Sequence, residues 1–308
     1  MSAESVVETK RIKRRNRIKL TRGDIGYQFV INTIVALFAM ACFVPFLYVV
    51  SMSLTSYGEM MEKSFFVLWP EHPNLRSYEI VLGNPSFVSS VLVSVARVIL
   101  GTFASLVLVV PGGYILANKL IPGRKAILIF FVLALILPTG MIPNYLLLRT
   151  LNLLDTFWVY IFPAMGGTFS MLIIKLFVEN LPTELMESAE LDGATEMQKM
   201  FSIAIPLLLP TIAALALFAA VAHWNSWFDA MLYNRSVELM PLSLLARNLV
   251  TAQGTISDTN NFLTVLERTT PEGIRMATVV LAVVPILCVY PFLQKYFIYG
   301  MFTGSVKG

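Results

Sequence analysis

Hydrophobic and polar positions fall in long blocks along this chain. Six blocks are apolar for the length of a membrane crossing, and charged or polar segments separate them. Phe29–Val50 runs 22 residues without a charge, Ala126–Leu148 runs 23, and Phe201–Ala222 runs 22. Thr156–Ile174 and Met276–Gln294 run 19 each, and Ser86–Asn118 carries Arg97 as its only charge. A hydrocarbon core takes about 20 apolar residues in a helix, whereas barrel strands alternate apolar and polar over about ten residues. The pattern predicts an all-α integral membrane protein with six transmembrane helices, at about 29–50, 86–117, 126–148, 156–175, 206–228 and 276–297. Prolines within them, Pro138 and Pro143 on one predicted helix among them, mark kinks.

Composition agrees. Of 308 residues 56% are apolar and 14% charged, against about 45–50% and about 25% in a soluble domain, and the mean hydropathy is +0.72. The net charge of +4 is concentrated: eight of the 23 basic residues lie between Lys10 and Arg22, in a basic segment spanning residues 1–28. The positive-inside rule puts that segment in the cytoplasm, and six crossings return the 301–308 tail to the same side. Lys119, Arg124, Lys125, Lys199, Lys295 and Lys307 then lie inside. In the long extracytoplasmic loop, 231–275, Arg235, Arg247, Arg268 and Arg275 are balanced by Glu238, Asp258, Glu267 and Glu272. The N-terminal cations read as topology determinants drawn to anionic lipid, and no nucleic-acid partner is expected. Cys42 and Cys288 sit in apolar runs and indicate neither a disulfide framework nor a metal cluster.

Catalytic and nucleotide-binding motifs are missing. The sequence has no G-x-x-x-x-G-K-[ST], H-E-x-x-H or G-x-S-x-G, so no catalytic residue, metal ligand or cofactor is assigned. Ion-coupled transporters place carboxylates or histidines within their spans, and here the span centres offer Arg97 alone. Energy for transport is therefore expected from another subunit. Arg97, Trp224, Asn225, Trp227 and Asp229 are the candidates for a substrate path: aromatic rings stack on sugar faces and polar groups bond hydroxyls. The alternatives are an arginine paired within the bundle and an aromatic belt at the interface.

The inside loop 179–205 reads as structure. Pro182 and Thr183 open a helix whose first turns carry Glu184 and Glu187, where the helix dipole favours anions. Gly193 fits a left-handed helix stop, and Thr195-x-x-Gln198 is a capping box that starts a second helix. Ser188 and Ala189 leave a small-residue face that another protein can approach.

This loop carries a family resemblance. Glu187-Ser188-Ala189, Asp192-Gly193-Ala194, Ile203 and Ile205-Pro206 resemble the EAA loop of permease subunits of binding-protein-dependent ABC importers, pattern E-A-A, three residues, G, nine residues, I-x-L-P. Ser188 replaces the first alanine and Ile205 the leucine before proline; the spacing is kept. Pro122-Gly123-Arg124, Trp224–Asp229 and Tyr290–Phe297 resemble the carbohydrate-uptake branch, and within it the pectin- and alginate-type permeases more than the maltose protein. The resemblance implies a type I importer fold with a cytoplasmic coupling helix, in a bacterial cytoplasmic membrane. It further implies a heterodimer with a second permease, two ATPase subunits that bind ATP and Mg, a solute-binding protein, and an oligosaccharide substrate, acidic in those systems. Glu187, Ser188, Ala189, Asp192, Gly193 and Ala194 would couple to the ATPase. The competing readings are an ion-coupled secondary transporter and a membrane-anchored assembly protein without a path.

Overall fold

The apolar blocks are helices. The computed structural model describes residues 22–63, 67–137, 139–251 and 270–305, and every regular element among them is helical. The basic residues from Lys10 to Lys19, the loop charges Asp258, Glu267 and Arg268, Pro138 and Lys307 lie outside the described residues. Helix α1 (Arg22–Leu54) covers the first block and includes Pro45. Its part up to Val49 forms one unit, and the chain from Val50 onward forms the other.

In the second unit two short helices, α2 (Tyr57–Glu62) and α3 (Arg76–Leu82), precede the second block. Buried Glu59 accepts the backbone N–H of Glu71 at 2.8 Å and that of His72 at 3.5 Å. Lys63 Nζ reaches Glu59 at 3.0 Å and Glu71 at 2.7 Å. The Glu71 N–H, more than any other group, holds the Glu59 carboxyl below its ordinary value of 4.5; burial opposes this, and Lys63 adds to it. A carboxyl depressed in the folded state contributes stability that is present above its unfolded pKa and is lost as pH falls through the folded one. Amide exchange at residues 67–72 is therefore expected to accelerate as pH drops below 4.5, beyond the intrinsic change, and Glu59→Gln removes that pH dependence.

Helix α4 (Pro85–Ala117) is the axis of this unit. Asn84 caps it by accepting the Ser86 N–H at 2.8 Å, with Pro85 preset for the first turn. Its buried face carries small residues: Ser90, Ser94, Gly101, Ser105 and Gly113 lie on it with Arg97. Large apolar side chains such as Leu92, Ile99 and Phe103 are exposed. This inverts a soluble amphipathic helix. Lipid supplies no hydrophobic drive between helices, so association rests on close backbone packing over small residues. A Cβ on Gly113 would lie 2.6 Å from Ile174 Cβ, one on Gly112 2.7 Å from Met171, and one on Gly101 2.4 Å from the His223 ring. Gly113→Ala is expected to cost about 1–3 kcal/mol through overpacking, read as a lower melting point in detergent. Gly166→Ala, with nothing within 4 Å, should leave it unchanged.

The third block departs from expectation. The single helix expected over 126–148 is two, α5 (Arg124–Ile136) and α6 (Met141–Thr150). The sequence Leu137-Pro138-Thr139-Gly140 explains the break, since a residue before proline is driven from helical geometry, and Leu137 has φ −106° and ψ 78°. Pro143 therefore belongs to the first turn of α6 and not to the helix that ends at Ile136. The fourth block begins as two 3₁₀ turns, Phe157–Tyr160 and Phe162–Ala164, then bends by 42° into α7 (Thr168–Glu179). Helix α8 (Thr183–Leu191) follows, then α9 (Glu196–Lys199), which runs through a π-turn at Met200–Ala204 into α10 (Ile205–Asn225). After α11 (Phe228–Tyr233), a 3₁₀ turn at Val237–Leu239 and α12 (Leu242–Thr251), the long α13 (Pro271–Ser305) completes the described chain. Among the described residues four helices are long and apolar enough to cross a membrane, and up to six when each bent pair counts as one span.

Three apolar clusters hold α4 in place. Val109, Val110, Ile174, Ala204 and Leu208 join it to α7 and α10. Val159, Tyr160, Ala230 and Leu244 bring the 3₁₀ turns, α11 and α12 together. Phe87, Val81, Leu242 and Ile274 join its first turns to α3, α12 and α13.

Candidate functional site

Two polar regions lie near opposite ends of α4. At the C-terminal end is the loop 179–205. Gly193 has φ +78°, the left-handed conformation that an L side chain resists. Its N–H donates to Glu190 O at 3.0 Å, and the Ala194 N–H donates to Ala189 O at 2.9 Å. Those two bonds form a Schellman motif, which satisfies the last carbonyls of α8. One residue later Thr195 Oγ1 accepts the Gln198 N–H, and Gln198 Oε1 accepts the Thr195 N–H at 2.8 Å, a complete capping box. The stop of α8 and the start of α9 are thus fixed by local hydrogen bonds. Glu187, Ser188 and Asp192 are exposed, while Ala189 and Ala194 are half-buried. Asp192, Gly193, Ala194, Gln198, Ser202 and Ile203 line a cleft of about 340 Å³.

The ends of this loop are tied to α4. Tyr114 Oη donates to Glu196 at 3.1 Å. Lys199, nearly buried, contacts Glu196 at 2.6 Å and Glu190 of α8 at 3.5 Å. Just before the loop, Glu179 pairs with Lys175 at 2.7 Å and with Arg124, whose Nε donates to Leu116 O at 2.8 Å.

Near the N-terminal end, Arg97 is 2% exposed and forms a forked ion pair with Asp229, which is 25% exposed. Its guanidinium lies 4.6 Å from the centre of the Tyr160 ring and donates to Ser226 O at 3.1 Å. Arg97 Nε is buried without a hydrogen-bond partner among the described residues. Ser226 Oγ donates to Asp229 Oδ1, and Ser243 Oγ donates to Ser226 O, both at 2.8 Å. The pair therefore fastens α4 to the α10–α11 joint and to α12. Trp224 points elsewhere, donating Nε1–H to Ala282 O of α13 at 3.1 Å. Trp227 stacks under Arg247 at 4.0 Å, and Asn225 is exposed at the end of α10. Of the five path candidates, the structure brings together only Arg97 and Asp229.

In the sequence Lys199 reads as a topology charge, Arg124 as a topology charge within the Pro122-Gly123-Arg124 motif, and Ser226 as part of the Trp224–Asp229 motif, while Tyr114, Tyr160 and Glu196 carry no assigned role. Tyr160 and Ser226 meet Arg97 across 63 and 129 residues of chain, so no local pattern announces them. The small residues Ser90, Ser94, Gly101, Ser105 and Gly113, separated by four, seven, four and eight residues and so kept on one helix face, were a readable signal of the buried face.

Apolar helices of membrane-crossing length, packed over a seam of small residues, define the class: a polytopic helical membrane protein. A scan against protein-family models matches none. Protein LplC of Bacillus subtilis (strain 168) is 40% identical over 265 residues, 86% of this chain and 89% of its own. The polygalacturonan/rhamnogalacturonan transport system permease protein YtcP of the same strain is 35% identical over 92% of this chain and 98% of its own. The arabinooligosaccharides transport system permease protein AraQ of Halalkalibacterium halodurans is 31% identical over 72% of this chain and 74% of its own. Among solved structures, a chain of a bacterial ABC transporter involved in the import of the acidic polysaccharide alginate superposes with a TM-score of 0.84 and 27% identity. That match covers 90% of this chain and 98% of the other. The chain belongs to the permease family of sugar ABC transport systems.

Proposed function

We propose that this chain spans the membrane six times and forms, with a second permease, the path of an ATP-driven importer for acidic oligosaccharides. Both termini lie in the cytoplasm. Two ATPase subunits bind the ATP and Mg, a solute-binding protein delivers the cargo, and α8 with Glu187, Ser188, Ala189, Asp192, Gly193 and Ala194 is the coupling element. The observation that carries the reading is the α8–Gly193–Thr195 joint. Its shape is fixed within this chain by the Schellman bonds and the capping box, which presents a preorganised helix to a partner's groove. The acidic cargo is supported by YtcP and by the alginate transporter. Asn225 and the accessible edge of Asp229 face the path, and Arg97 holds Asp229 in place.

The test is gentle detergent purification of the tagged chain from its own host, with mass spectrometry of what accompanies it. A second permease, an ATPase and a solute-binding protein are expected. The binding protein is then titrated with oligogalacturonides, alginate oligomers and neutral arabino-oligosaccharides, and tighter binding of an acidic set is expected. Preference for the neutral sugars would overturn the acidic cargo. A chain that purifies alone in several detergents would overturn the importer reading.

A further inference from the structure

We infer that Tyr114, Arg124 and Lys199 are positioning residues that mount the coupling loop on α4, so that loop and helix move as one body. The inference rests on the importer reading above. Glu179, immediately before residues 180–195, is held by Arg124, and Arg124 also donates to Leu116 O in the last turn of α4. Glu196, immediately after them, is held by Tyr114 of the same turn. The loop is therefore anchored at entry and exit to one helix end. Lys199 closes the remaining freedom: its ammonium, on a side chain 8% exposed, bridges Glu196 to Glu190 of α8 across the Gly193 turn. Leu181, Met186 and Ile205 pack against the apolar cluster that contains Val109, Val110 and Ile174.

A flexible loop would absorb a push by changing its own shape. This one has two anchors and an internal bridge, so displacement of α8 passes into α4. That helix carries Arg97 seventeen residues from Tyr114, about 25 Å at 1.5 Å per residue. Motion entering at the loop thus reaches the Arg97–Asp229 pair through a single element.

The test uses the assembled transporter in nanodiscs, purified with its own ATPase, with free Cys42 and Cys288 replaced by serine. Spin labels go at Glu184→Cys on α8 and Leu92→Cys on the exposed face of α4. The distance between them is read by pulsed dipolar spectroscopy without nucleotide and after trapping with ATP and vanadate. With the native clamps it should stay constant within about 2 Å. Tyr114→Phe with Lys199→Met, which keeps the ring and the aliphatic stem, should let it change by more than about 5 Å on trapping. Lys199→Arg should restore the constant distance. A purely structural weakening would alter both states alike and leave no nucleotide-dependent change. A native distance that shifts on trapping as much as the variant's would overturn the proposal. So would a variant distance that stays constant. Absence of any co-purifying ATPase would instead overturn the importer reading, and with it the loop's role.

Discussion

Asp229→Ala should cost about 3–5 kcal/mol, the usual consequence of removing one partner from a buried ion pair. The loss is expected as a sharp drop in monodisperse protein on fluorescence-detected size exclusion. The cause is the group left behind. Arg97 is buried on α4, Ser226 O also accepts from it, and among the described residues its Nε is already without an acceptor. Arg97→Met in the same chain should restore most of the yield, because an apolar side chain of similar length fits where the charge no longer has a counter-ion. Should Asp229→Ala alone fold normally, the pair is no structural fastening and the accessible carboxylate acts only toward cargo.

The second large effect is expected at Gly193. Nothing lies within 4 Å of a Cβ placed there, so packing is no obstacle. The backbone is the obstacle: φ is +78°, and an L residue in that region loses about 1–2 kcal/mol, more when β-branched. Gly193→Val should therefore relax the α8 stop, with little change in melting point and a fall of about tenfold or more in ATPase retained on purification. Asparagine tolerates the left-handed region better, so Gly193→Asn should retain more ATPase than Gly193→Val. Equal retention by the glycine and valine proteins would remove the turn from the coupling machinery.

Those two predictions also mark what the sequence could and could not disclose. Gly193, the Thr195–Gln198 box and the start of α8 at Thr183 were legible because each is a local device, settled within four residues of chain. The long apolar runs were legible because bilayer thickness sets a length. The break after Ile136 was half visible: Pro138 and Gly140 stood in the run, yet unbroken apolarity outweighed them. Arg97 shows the opposite limit. Its burial could be read from the span around it, but its carboxylate lies 132 residues away, beyond the reach of any periodicity. The tie from Tyr114 to Glu196 crosses 82 residues, and tyrosine near a span end suggests an interfacial anchor before it suggests a clamp. Non-local polar contacts are set by packing, and packing here is decided by glycines that read as gaps in a hydrophobic pattern.

The separation of Arg97 from Asp229 has a consequence for biogenesis. A chain emerging at about 5–20 residues per second delivers the aspartate roughly 7–26 s after the arginine, given the 132 residues between them. During that interval the guanidinium, on the face of α4 that will later be sealed, has no Asp229 with which to pair. Each new molecule therefore passes through an adolescent state in which a charge destined for burial has no counter-ion, and slower translation of the intervening segment prolongs it.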